Sequence, residues 1–113
     1  MIRYLLASLL LTASAHAQIA FVQSHEQAGT ITTGGSFQQV MGSNLGRHGC
    51  LIQNTSTHTL YVYMGLVASA TTAKSFQVAA GATYDCSRNG AVLTSPVAVS
   101  TSTTSDTFVW DEY

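Results

Sequence analysis

Residues 47–65 read RHGCLIQNTSTHTLYVYMG, and their alternation decides the fold class. Over residues 48–54, Cys50, Ile52 and Asn54 fall on one face, with Leu51 and Gln53 on the other. Over residues 59–64, Leu60, Val62 and Met64 oppose Tyr61 and Tyr63. Successive side chains of a strand point to opposite faces of a sheet, so this period of two predicts a pair of half-buried strands. Between them, Asn54-Thr55-Ser56-Thr57-His58 is a run of short hydrogen-bonding side chains. The stretch is therefore expected to fold back on itself as a β-hairpin.

The same grammar continues on both sides. Residues 74–79 alternate Phe76 and Val78 with Ser75 and Gln77, Ala80-Gly81 marks a turn, and residues 83–87 form another short strand. Arg88-Asn89-Gly90 carries an Asn-Gly pair, a strong hairpin signal because both residues tolerate positive φ. Residues 91–100 read as a strand interrupted by Pro96, which points to an edge or a bulge. Residues 107–111 (TFVWD) supply a last strand. Upstream, residues 18–23 (QIAFVQ) read as a short strand, 24–35 as an extended or loop segment, and 37–41 as a brief apolar stretch. No window carries the i, i+3, i+4, i+7 apolar stripe of an amphipathic helix. The expected fold is all-β: an antiparallel β-sandwich or jelly-roll-like small barrel of six to eight short strands. Its expected organisation is a leader or apolar arm over 1–17, an extended arm with a short strand over 18–46, and the sandwich over 47–113.

Composition narrows the function classes. The 113 residues leave room for one domain and one core. Only 8% are charged while 46% are hydrophobic, against about 25% charged in an ordinary soluble domain. Ser, Thr, Gln and Gly replace the missing charge, a surface common in extracellular β-proteins and in subunits packed against neighbours. With four Lys and Arg residues and a net charge of -1, no basic stripe neutralises phosphates, which disfavours nucleic acid and an anionic membrane surface as partners.

Residues 1–17 have the layout of a secretory signal: a short basic start with Arg3, an apolar run over 5–13, and Ala15-His16-Ala17 before Gln18. That run is shorter than the roughly 20 residues of a membrane span. An apolar N-terminal arm buried in an assembly has the same composition. In an exported protein the two cysteines, Cys50 and Cys86, are expected to pair, closing a loop whose chain entropy is worth roughly 3–4 kcal/mol; two buried thiols are the alternative if the chain folds in the cytoplasm.

The inventory for chemistry is thin, and no catalytic, cofactor-binding or metal-ligating residue is assigned. His48 and His58 flank the turn and are the nearest approach to a metal pair, although loop polarity explains them equally well. Cys50 and His48 share a strand face but have no third group to orient them. Asp111-Glu112 reads as a solvated end, and no nucleophile elbow, zinc-protease motif or phosphate loop occurs. Tyr61 and Tyr63 share one strand face, where an apolar ring with a polar tip suits a subunit contact or a stacked sugar. Asn54-Thr55-Ser56 is a glycosylation sequon, meaningful only in a glycosylating host.

Five pieces carry a resemblance: Arg47, Ile52-Gln53-Asn54, residues 60–65 ending in Gly65, residues 76–81 ending in Ala80-Gly81, and Ser105-Asp106-Thr107-Phe108. Together they resemble small virion structural proteins of tailed and related bacteriophages. The resemblance implies a non-enzymatic head-decoration, fibre or tail-associated β-protein, located in the virion. Its partners would be other virion proteins, with homo-oligomerisation expected. The signal-like leader departs from that pattern and fits the alternative: an exported periplasmic, secreted or surface protein that binds glycan or assembles into a surface structure.

Overall fold

A computed structural model of the chain describes residues 25–87 and 94–113. The strands are β1 (His25–Thr30), β2 (Gln38–Met41), β3 (Cys50–Asn54), β4 (Leu60–Met64), β5 (Phe76–Val78), β6 (Thr83–Asp85), β7 (Val97–Ser100) and β8 (Thr107–Glu112). They form two four-stranded antiparallel sheets with strand orders β1-β8-β3-β6 and β2-β7-β4-β5. The pairing is nested, with β4 on β5, β3 beside β6, β2 beside β7 and β1 beside β8. Every connection except β4–β5 passes from one sheet to the other. That is the jelly-roll form of the sandwich, and the all-β antiparallel expectation is met.

The inward faces are those the alternation marks. Cys50, Ile52, Leu60, Val62, Val97, Val99 and Phe108 are buried between the sheets, joined by Ile31, Met41, Val78 and Tyr84. Leu51 and Gln53 face outward, as do Tyr61 and Tyr63 in part. On β2 the register shifts between Gln39 and Met41, which keeps both Gln38 and Met41 on the side of Val99 and Val97.

The hairpin expected over 47–65 is not formed. β3 pairs with β8 and β6, β4 pairs with β7 and β5, and the two strands lie in opposite sheets. Period-two alternation fixes which face of a strand is buried but says nothing of its partner. The chain makes an arch instead, and Asn54 holds it. Its side chain is fully buried. Its Nδ2 donates to the carbonyls of His58 (2.7 Å) and Val78 (2.9 Å), and its Oδ1 accepts from the Ser56 N–H (3.0 Å) and hydroxyl (2.8 Å). A hairpin would leave such a side chain at a wet turn; here it substitutes for the ladder hydrogen bonds that the crossing interrupts. Asn54→Ala is expected to lower unfolding stability by about 2 kcal/mol, since it strands the buried Val78 carbonyl and removes the tie to the His58 carbonyl. Urea unfolding of the variant checks this, and a loss under 1 kcal/mol would contradict the role.

Two further expectations change. The sandwich does not begin at residue 47: β1 and β2, within the segment expected as an arm, pair along β8 and β7. β1 reads HEQAGT and shows no apolar alternation because its contribution is made by the partner strand. Gly29 sits opposite Phe108, and a Cβ there would stand 2.3 Å from the ring. The glycine leaves the space that the buried phenyl fills. Among the described residues Pro96 interrupts no strand: it precedes β7, a central strand, and its carbonyl accepts from the Gly65 N–H, while residues 91–93 of the expected strand lie outside the described residues. The start of a strand tolerates proline because no ladder N–H is required there. The strand expected over 18–23, the Asn-Gly turn at 89–90 and the leader over 1–17 lie outside the described residues.

Candidate functional site

The sandwich has two differently built ends. At one, Arg47 leads into β3 with its side chain wholly buried. Its Nε donates to Glu112 Oε2, and its two terminal nitrogens donate to the carbonyls of Ser95 and Gly42, each at 2.8 Å. The planar guanidinium thus ties β8 to the connections before β3 and β7, a fork that an ammonium group lacks. At the same end Cys50 and Cys86 are joined in a disulfide between β3 and the residue after β6, with Cα atoms 5.3 Å apart and both residues fully buried.

The opposite end gathers around Asn54. Its N–H donates to Ala82 O, and its carbonyl accepts from the Gly81 N–H. The hydroxyls of Thr55 and Thr107 meet at 2.8 Å. His58 Nδ1 lies 3.1 Å from both carboxylate oxygens of Asp106. The Thr101 hydroxyl and, beside it, the His58 imidazole hold the Asp106 carboxyl below its ordinary value of 3.8. A depressed carboxyl pKa stabilises the fold fully above the unfolded-state value, and that contribution is lost as pH falls through the lower folded-state value. His58→Ala is therefore expected to raise the Asp106 pKa only part of the way to 3.8, because Thr101 contributes more. A carboxyl-carbon NMR titration of the variant reads the shift, and an unchanged Asp106 would contradict the contact.

These placements decide the residues weighed for chemistry. His48 and His58 stand at opposite ends of β3, so they do not share a ligand site. Cys50 is spent in the disulfide and offers no thiolate to His48. The sequon nitrogen of Asn54 lies in a fully buried side chain and donates two hydrogen bonds, which closes it to a glycosyl group in the folded chain. Glu112 is the ion partner of Arg47 rather than a solvated end.

Among the described residues, two surfaces carry aromatic rings in contact. The first is the outer face of β4. Tyr63 rests edge-on against Phe37, with ring centroids 6.5 Å apart, and covers Gly65. Tyr61, opposite Ser100 on β7, borders a separate cleft. The second is the side of the sandwich where β5 and β6 are each the last strand of their sheet. A groove of about 490 Å³ runs there between Phe76, Val78, Ala82 and Tyr84. Phe76 and Tyr84 stack across it at 4.9 Å, leaving Phe76 44% exposed. Alternation places Phe76 with Val78 on the inner face, and only the lateral position of β5 shows that this face opens to solvent. Among the described residues no helix is long and apolar enough to cross a membrane.

Comparison with protein-family models, with curated proteins and with solved structures finds no match.

Proposed function

We propose that the chain is a non-enzymatic virion structural protein of a bacteriophage, which stabilises or decorates a capsid or tail through subunit contacts. One observation carries this reading. The sequence pieces of the resemblance, scattered over some sixty positions, belong to one framework rather than to unrelated loops. Ile52-Gln53-Asn54, the Ala80-Gly81 turn and Ser105-Asp106-Thr107-Phe108 meet around Asn54 through the hydrogen bonds just described. Arg47 closes the other end of the same strand. Pieces that cooperate in space are harder to match by generic β-sequence than pieces that do not. A surface nearly free of charge, with Phe76 exposed on β5, suits burial against neighbouring subunits.

A second reading rests on the Cys50–Cys86 disulfide, which oxidising compartments favour: an exported periplasmic or surface protein that binds glycan or assembles there. Deletion of the gene separates the two. The virion reading predicts particles that fail to assemble or that disrupt at lower temperature, restored by supplying the chain in trans. Particles of unchanged yield and heat resistance would count against it.

A further inference from the structure

The cleft beside Tyr61 is built from residues that share one chemical character. Gly35, Tyr61, Thr72, Ser100, Thr101 and Ser102 enclose about 210 Å³, and none of the six is charged. Four of them are hydroxyl residues set against one aromatic ring. Three separate parts of the fold bring them together. Tyr61 and Ser100 are cross-strand partners on the outer face of β4 and β7. The N–H of Gly35 donates to Thr101 O at 2.8 Å, which draws the β1–β2 connection over the end of β7. Thr72 opens the short 3₁₀ turn Thr72–Lys74 on the other side.

The hydrogen-bonding state of these groups points to a ligand that both gives and takes hydrogen bonds. Ser100 is 2% exposed, and its hydroxyl donates only to the adjacent Thr101 carbonyl at 3.3 Å. It accepts from no described residue, so a buried oxygen in the wall keeps its acceptor capacity. The Tyr61 and Thr72 hydroxyls have no partner among the described residues. At Gly35 the backbone has φ +80°, and nothing lies within 4 Å of where a Cβ would stand. A ligand can approach the main chain there without meeting a side chain.

We propose that this cleft is a binding site for one neutral sugar residue, its apolar ring face laid on Tyr61 and its hydroxyls directed to Ser100, Thr72 and the Gly35 backbone. An aromatic wall with a few placed polar groups is what a ring with one apolar face and a hydroxyl rim requires. The absence of charge from the lining selects against uronic and sialic acids, whose carboxylates would be desolvated without a cation. The site goes beyond the virion reading and holds for either location, because it depends on the cleft and not on what the sandwich assembles with.

Titration of ¹⁵N-labelled full-length chain with methyl glycosides of glucose, galactose, mannose and N-acetylglucosamine tests it, with glucuronate and sialate as charged controls. At least one neutral glycoside should shift the amides of Gly35, Tyr61, Thr72 and Ser100 saturably, with a Kd on the order of 1 mM. Tyr61→Ala should weaken that binding about tenfold, as loss of one stacked ring predicts, while Tyr61→Phe retains most of it. Thr72→Ile, at an exposed position, should block the mouth without disturbing the core. Absence of shifts with every neutral glycoside, shifts with the charged sugars alone, or binding indifferent to Tyr61→Ala and Thr72→Ile would each overturn the site. None of these outcomes bears on association with particles, which is read separately.

Discussion

Replacing Arg47 with methionine is expected to lower unfolding stability by about 3 kcal/mol, the low end of the range for breaking a buried ion pair, because Glu112 keeps some contact with water. The loss has two origins. Glu112, 23% exposed in its side chain, recovers only some hydration when its cation is removed. The Ser95 and Gly42 carbonyls lose their donors too, but both residues are exposed and water takes up part of that loss. Arg47→Lys should recover part of the loss only, because one ammonium cannot point at three acceptors in a plane. The double variant Arg47→Met with Glu112→Leu should be more stable than Arg47→Met alone, since it removes the orphaned charge. Chemical unfolding midpoints order the three variants. Equal stability of Arg47→Met and the parent would mean that the guanidinium holds nothing together.

Reduction of the disulfide is the second large effect. Cys50 and Cys86 are separated by 36 positions, and closing a loop of that size removes chain entropy worth about 4 kcal/mol from the unfolded state. Cys50→Ala with Cys86→Ala should therefore unfold at a markedly lower denaturant concentration than the oxidised parent. Adding reductant to the parent should move it toward the same midpoint. The folded state should survive under mild conditions, because β3 and β6 stay registered by Ile52 opposite Tyr84 and by the Cys86 N–H donating to Cys50 O. A parent whose midpoint is indifferent to reductant would contradict the stabilising role.

How much of this was legible in the sequence depends on what each signal encodes. Alternation at Cys50, Ile52, Leu60 and Val62 gave the buried faces because burial acts on each strand separately. It misassigned the partner of β3, since a hairpin and an arch bury the same residues and differ only in where the strands pair. The decisive residue, Asn54, looks like an ordinary loop asparagine until its four side-chain hydrogen bonds are seen. β1 has no alternation signal because its anchor is an absence, the missing side chain of Gly29 that admits Phe108 from the neighbouring strand. Arg47, one of four Lys and Arg residues in the chain, carries a pattern in the sequence but no sign of its burial; a lone arginine before a strand does not reveal the acceptors that converge on it. Of the site residues, the cysteine pair was readable from its number and context. Tyr61 and Tyr63 were readable as one face, but the Phe37 contact that occupies Tyr63 and the cleft beside Tyr61 arise from connections that pack only in the folded chain.

Two buried polar side chains, Arg47 and Asn54, hold connections in place at the two ends of the sandwich. Arg47 and Asn54 fix the two ends of β3, and the surface left over is hydroxyl, amide and aromatic. The proposed burial of that surface against other subunits is what an experiment on particles must show.

Quantitative mass spectrometry of gradient-purified particles tests that reading most directly. The account predicts the chain in the particle band at a fixed ratio to the major capsid or tail protein, unchanged through a second gradient. Recovery of the chain only from the periplasmic fraction, with none banding with particles, would contradict it.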